Sequence, residues 1–138
     1  MAETLRLRIV TPERLLLDED VDEVTAPGTE GEFGVFPNHT TFLSSLQPGR
    51  LLYKRTGQAK VMAVSGGFAE VVNNTMTVLT DSGELPSEIN VERARAALQK
   101  AEETLKTLSP TDPTFAEAQA AVQRAQARIH VASGGGLS

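Results

Sequence analysis

The spacing of apolar residues changes once along this chain, at Asp81-Ser82-Gly83, and that change constrains the fold more than any other feature. Before it the period is two: Leu5, Leu7 and Ile9 alternate with Arg6, Arg8 and Val10, as in a strand with one buried face. After it the period is three to four: Val91, Ala94, Leu98, Ala101, Leu105 and Leu108 lie on one face of a helix. The chain therefore divides into a β unit over residues 1–83 and a helical unit over residues 84–138.

Within the β unit, Thr11-Pro12 ends the first strand, and a short apolar run, Leu15 to Leu17, follows. Next comes an acidic cluster, Asp18, Glu19, Asp20, Asp22 and Glu23, which with Val21 and Val24 reads as one exposed strand and its turn. Gly49 to Lys54 and Lys60 to Val64 are strands joined near Thr56-Gly57. Phe68 to Val72 and Thr75 to Thr80 form a hairpin turned by Asn73-Asn74, because Asn tolerates left-handed backbone. Many short strands with regular turns predict a β-sandwich. The stretch from Pro27 to Pro48 is too rich in Gly and Pro for a helix, and its acids and phenylalanines predict a docking edge.

In the helical unit, Asn90 is the expected N-cap of the first helix, which Ser109-Pro110 stops. Asp112 is the expected cap of the second, with Pro113 at its first position. Phe115, Ala118, Val122, Ala125, Ile129 and Ala132 form the matching stripe, so the helices predict an antiparallel hairpin. Alanine recurs along both stripes; burying a Leu contributes about 2 kcal/mol and an Ala methyl roughly 0.8 or less. The seam is expected to be weak and the hairpin able to take more than one arrangement. Gly134 to Gly136 is expected to be a flexible tail.

Composition excludes several function classes. A net charge of -5 argues against general nucleic-acid binding. Without cysteine there is no disulfide framework, thiolate nucleophile or cysteine-ligated zinc. No signal-peptide run opens the chain and no stretch of about 18 apolar residues occurs, so direct membrane insertion is not expected. Gly28, Gly31 and Gly34 fit neither the P-loop nor the dinucleotide fingerprint, and Glu30 and Glu32 would repel phosphate, so they are turn glycines. His39 and His130 lie in different parts of the chain and predict no metal site. Ser65, beside Gly66-Gly67, lacks a nucleophile frame, and no catalytic set is visible. Arg93 and Lys100 share a face of the first helix, and Arg124 and Arg128 a face of the second. They are either solvated faces or four cations converging on an anion when the hairpin closes.

Three strings, EGEFGVFPNHTTFLSSLQPG, VSGGFAEVVNNTMTVLTD and INVERARAAL, resemble the epsilon subunit of bacterial and chloroplast rotary ATP synthases, in order and over essentially the whole chain. The resemblance implies a ten-stranded β-sandwich followed by an antiparallel two-helix hairpin. It implies a non-catalytic subunit in the central stalk of a proton-translocating ATP synthase, on the cytoplasmic side of the bacterial plasma membrane and peripheral to it. Its implied partners are the gamma subunit, the ring of c subunits and, with the hairpin extended, the alpha/beta catalytic head. Glu32 and His39 take the implied ring-contact positions. The hairpin is the implied brake on ATP hydrolysis. No cofactor is required, but some family members bind ATP on the folded hairpin as a regulatory ligand. The residues matching that motif are Glu84, Ile89, Asn90, Arg93, Ala94, Arg124 and Arg128. Asn90 stands where the motif has Asp, keeping an acceptor oxygen but losing the charge. The rival reading is a free-standing ATP-binding sensor module.

Overall fold

The computed structural model describes residues 3–134, so Gly135 and Gly136 of the expected tail lie outside the described residues. Ten strands come first: β1 (Leu5–Val10), β2 (Leu15–Val21), β3 (Glu23–Gly28), β4 (Gly31–Val35), β5 (Phe42–Leu46), β6 (Gly49–Arg55), β7 (Gln58–Val64), β8 (Gly67–Val72), β9 (Thr75–Leu79) and β10 (Gly83–Glu84). A single 3₁₀ turn, Pro86–Glu88, leads to α1 (Val91–Thr107) and α2 (Phe115–Ala132). The sheet order is β10-β7-β6-β3-β5-β8-β9-β1-β2, with β4 paired to β3 outside that path. Every pairing is antiparallel except β1 with β9.

One buried cluster draws Leu7 and Ile9 from β1, Val24 from β3, Leu51 from β6, Val71 from β8 and Val78 from β9. The sheet therefore folds over itself into the two layers of a sandwich. Alternation decides which residues go inside: Leu5, Leu7 and Ile9 are buried, while Arg6 and Arg8 between them reach Asp18 on β2. Glu19 on β2 pairs with Arg55 on β6 at 3.1 Å, tying this end of the sheet to the facing layer. Two turns follow the expected chemistry. Asn73 and Asn74 carry φ of 50° and 59° between β8 and β9. Thr56 and Gly57 turn β6 into β7, and the Asp22 carboxylate accepts from the Gly57 N–H at 2.9 Å. Gly67 is required at the start of β8, where φ is 121° and a Cβ would fall 1.9 Å from the Leu79 carbonyl oxygen.

The structure corrects two expectations. Pro27 to Pro48 is more regular than its composition implied. It holds the end of β3, all of β4 and β5, with Gly28 opposite Gly31 across the hairpin. Val35 points into the core while Glu32 and Gly34 are exposed, a short alternation that the glycines obscure. β4 pairs with β3 alone and is a free edge. The second correction concerns Asp112, which does not cap α2. Its carboxylate accepts from the Thr114 N–H at 2.8 Å and the Thr114 hydroxyl at 2.7 Å, closing a separate turn, and the helix starts at Phe115.

α1 buries only Ala94, with the rest of its stripe half-buried against α2. α2 buries Ala118 and Ala125 on the expected stripe, and also Ala127 and Val131. It lies between α1 and strands β6 and β7, so it has two covered faces where one was expected.

Candidate functional site

Where α2 meets the sandwich, a cavity of about 210 Å³ is lined by Ala63, Val64 and Ser65 at the end of β7, Ser82 and Glu84, and Arg124 and Arg128 of α2. Glu84 arrives on β10, which pairs with Val64 and Ala63 of β7. Arg128 donates through Nε to Glu84 Oε1 at 2.7 Å and through Nη2 to Oε2 at 3.1 Å, a bidentate pair between α2 and strand β10 of the sheet. Arg124 donates to Glu117, two turns back on the same face, at 2.7 Å. Ser65 Oγ accepts from the Ser82 N–H at 3.0 Å and lies 3.2 Å from the Thr80 hydroxyl. Each guanidinium has five N–H donors, so both retain donors for an anion after these contacts. Small-molecule sites span about 300–1,000 Å³. This cavity is smaller, and in this arrangement it takes only part of a nucleotide.

The residues named from sequence fare differently here. Glu84, Arg124 and Arg128 come together. Ile89 packs against Val61, Ala63 and Val131 beside the cavity. Asn90 caps α1: its Oδ1 accepts from the Arg93 N–H at 3.0 Å. Ala94 is buried. Arg93 and Lys100 are exposed and do not line the cavity, so two of the four cations converge rather than four. α1 packs chiefly on α2.

Glu32 lies at the start of β4, and His39 follows the turn beyond its other end. Glu32, half-exposed near the β3–β4 turn, lies 3.7 Å from Arg50 Nε. Arg50 also donates to His130 Nε2 at 3.4 Å, and these residues line a polar groove of about 340 Å³ with Gln47 and Gln123. His39 follows the other end of β4; its Nδ1–H donates to the Thr40 carbonyl at 2.8 Å, and its ring stands edge-on to Phe42. A strand rises about 3.4 Å per residue, so the length of β4 separates the two.

Sequence reasoning missed one surface. The registers Ser45↔Phe68, Phe68↔Leu79, Val10↔Leu79 and Val10↔Leu15 align Phe68, Leu79, Val10 and Leu15 in one row across four strands. Phe68 is 56% exposed, Leu79 52% and Leu15 46%. A groove of about 500 Å³, lined by Pro12, Gly66, Phe68 and Leu79 among others, adjoins the row. The signal was present: inward Ala69 and Val78 force their neighbours Phe68 and Leu79 outward. Among the described residues no group of three or more His, Cys, Asp or Glu could hold a metal, and no helix is long and apolar enough to cross a membrane.

The sequence profile of the ATP synthase Delta/Epsilon chain beta-sandwich domain matches residues 4–86, and that of the Delta/Epsilon chain long alpha-helix domain matches residues 87–133. The chain belongs to the ATP synthase delta/epsilon family. Like the family, it joins a sandwich to a helical hairpin. It is 49% identical over 133 residues to the ATP synthase epsilon chain of Geotalea uraniireducens, covering 96% of each chain. It is 51% identical over 132 residues to that of Trichlorobacter lovleyi, again covering 96% of each. Among solved structures it resembles a chain of the Euglena gracilis mitochondrial ATP synthase OSCP/F1/c-ring assembly, with a TM-score of 0.79, 25% identity, and 96% of this chain and 82% of that one covered. A chain of the Tetrahymena thermophila mitochondrial ATP synthase central stalk and c-ring, at 18% identity and a TM-score of 0.56 over 94% of this chain and 93% of that one, shares the fold. As an epsilon-type member of this family, the chain is a non-catalytic subunit of the ATP synthase central stalk.

Proposed function

We propose that this chain couples rotation of the c-subunit ring to the gamma subunit through its sandwich and restrains ATP hydrolysis through its hairpin, which leaves the sandwich and extends toward the alpha/beta head. The sandwich, residues 1–83, is the partner-binding unit, and residues 84–138 are the regulatory one. The observation that carries the brake is the attachment of the hairpin: α1 buries only Ala94, and α2 alone lies against β6 and β7. A helix pair held this lightly can change place at small cost.

The row Phe68, Leu79, Val10 and Leu15 is the surface that fits gamma, because an exposed apolar stripe of this extent calls for a partner. The polar end at Glu32 is the position that fits the ring. Membrane attachment is then peripheral, through the ring, on the cytoplasmic side of the bacterial plasma membrane. The same surfaces favour a stalk subunit over a free-standing nucleotide sensor. Co-purification with gamma and c subunits discriminates the two; failure to retain either partner counts against the stalk reading.

As a regulatory ligand, ATP would set its phosphates in the cavity between Glu84, Arg124 and Arg128, on the two guanidiniums, with the rest of the nucleotide outside it. Arg124→Ala and Arg128→Ala are each expected to weaken ATP binding about tenfold or more while leaving the sandwich folded. Titration calorimetry on the isolated chain reads this, and unchanged affinity in both variants rejects the site.

A further inference from the structure

Docking of the hairpin is concentrated near the end of α2, between Gln123 and Val131. Val131 is completely buried, packed with Val61, Ala63, Leu52 and Ile89 in a small apolar cluster separate from the sandwich core. Three residues back on the same helix face, Arg128 makes its bidentate pair with Glu84. The remaining side-chain hydrogen bonds from α2 to the sandwich are long: Gln123 donates to Gln47 at 3.3 Å, and Arg50 donates to His130 at 3.4 Å. α1 rests on α2 along its seam.

These elements differ in kind. The Val131 cluster is apolar and short in reach, so it holds only while α2 is fully seated. The Glu84–Arg128 pair is partly buried and charged on both sides, with both carboxylate oxygens engaged. Both side chains keep contact with solvent, so losing one partner costs the docked hairpin a modest amount. α1 has no comparable anchor, because its one buried residue is an alanine.

We infer that the last two turns of α2 are the catch of the hairpin. Val131 is its peg and the Glu84–Arg128 pair its clasp, and α1 follows α2 rather than holding on its own. The use of the catch rests on the brake reading above, but docking itself is a property of the isolated chain and is testable without the complex or nucleotide.

The test is amide hydrogen exchange on the full-length chain in the absence of nucleotide. Glu84→Arg, which places two cations at the clasp, is expected to speed exchange of the α2 amides roughly three- to tenfold while β1, β8 and β9 stay protected. Adding Arg128→Glu restores the pair with its charges reversed and is expected to recover most of the protection. Val131→Ser is expected to act like Glu84→Arg. The catch is overturned by α2 rates unchanged in Glu84→Arg or Val131→Ser, or by a swap that fails to recover protection. It is overturned equally if the sandwich strands accelerate in step with α2, since these residues would then belong to the folding core. Inhibition of hydrolysis in the assembled complex is a separate measurement: a working catch in a complex that truncation leaves inhibited would refute the brake and leave the catch standing.

Discussion

Asp18 shows how single residues on the outer face are held. Arg6 donates to it from Nε at 2.7 Å, and Arg8 approaches to 3.8 Å. The hydrogen bond from Arg6, reinforced by the charges of Arg6 and Arg8, holds its carboxyl below the usual value of 3.8. A carboxylate whose folded pKa is depressed adds stability that is present above the unfolded value and lost as pH falls through the folded one. The chain is therefore expected to lose stability on acidification below about pH 3.8, with Asp18 contributing. Asp18→Asn should flatten part of that loss, read from urea midpoints across the acid range, and curves for the two proteins that stay parallel would show that the pair contributes nothing. The acidic cluster was read as one exposed strand and its turn, but it divides between β2 and β3 on either side of Asp22, with Val21 and Val24 in the core, and the partner of each acid was not legible. Asp18 reaches Arg6, Glu19 reaches Arg55, Asp22 the Gly57 N–H and Glu23 Lys54, and only sheet register and the packing of the layers bring such distant positions together.

Elements that depend on local signals matched the sequence best. α1 starts where Asn90 caps it, and the stripe its spacing marks is its covered face, with Ala94 buried and the rest half-buried. Removing the cap with Asn90→Ala is expected to cost about 1 kcal/mol, and Asn90→Asp close to nothing, since both side chains accept from the same N–H. Exchange of the first-turn amides of α1 checks this, and equal rates in Asn90→Ala and the parent would show the cap to be idle. The first stripe of α2 was legible, and its positions are buried or half-buried, but alanine stands at so many other positions, including Ala116, Ala120, Ala121 and Ala127, that a second apolar face does not stand out. Its second face, Ala127 and Val131, becomes visible only once β6 and β7 lie beneath it. β4 was hidden for a related reason. Gly31 and Gly34 read as turn signals, yet pairing with β3 needs only the backbone.

At the scale of the whole molecule, the order of the two units was legible, because a change of apolar period survives without tertiary information. The parallel pairing of β1 with β9 and the ion pair that ties β2 to β6 through Glu19 and Arg55 were not, since no local pattern specifies which distant strands meet. The same long-range packing decides what the hairpin is worth to the rest. The sandwich core contains no residue of α1 or α2, and Val61, Ala63, Leu52 and Ile89 would be uncovered where Val131 sits. Ending the chain before Val91 is therefore expected to leave a folded sandwich that still binds its partners and keeps rotation coupled, while ATP hydrolysis by the complex is no longer restrained. Two assays on complex assembled with the truncated chain check this: proton pumping for coupling and steady-state hydrolysis for the brake. Hydrolysis that stays as restrained as before would place the brake elsewhere in the complex. A truncated chain that cannot fold would mean that the sandwich depends on the hairpin, contrary to a core built without it.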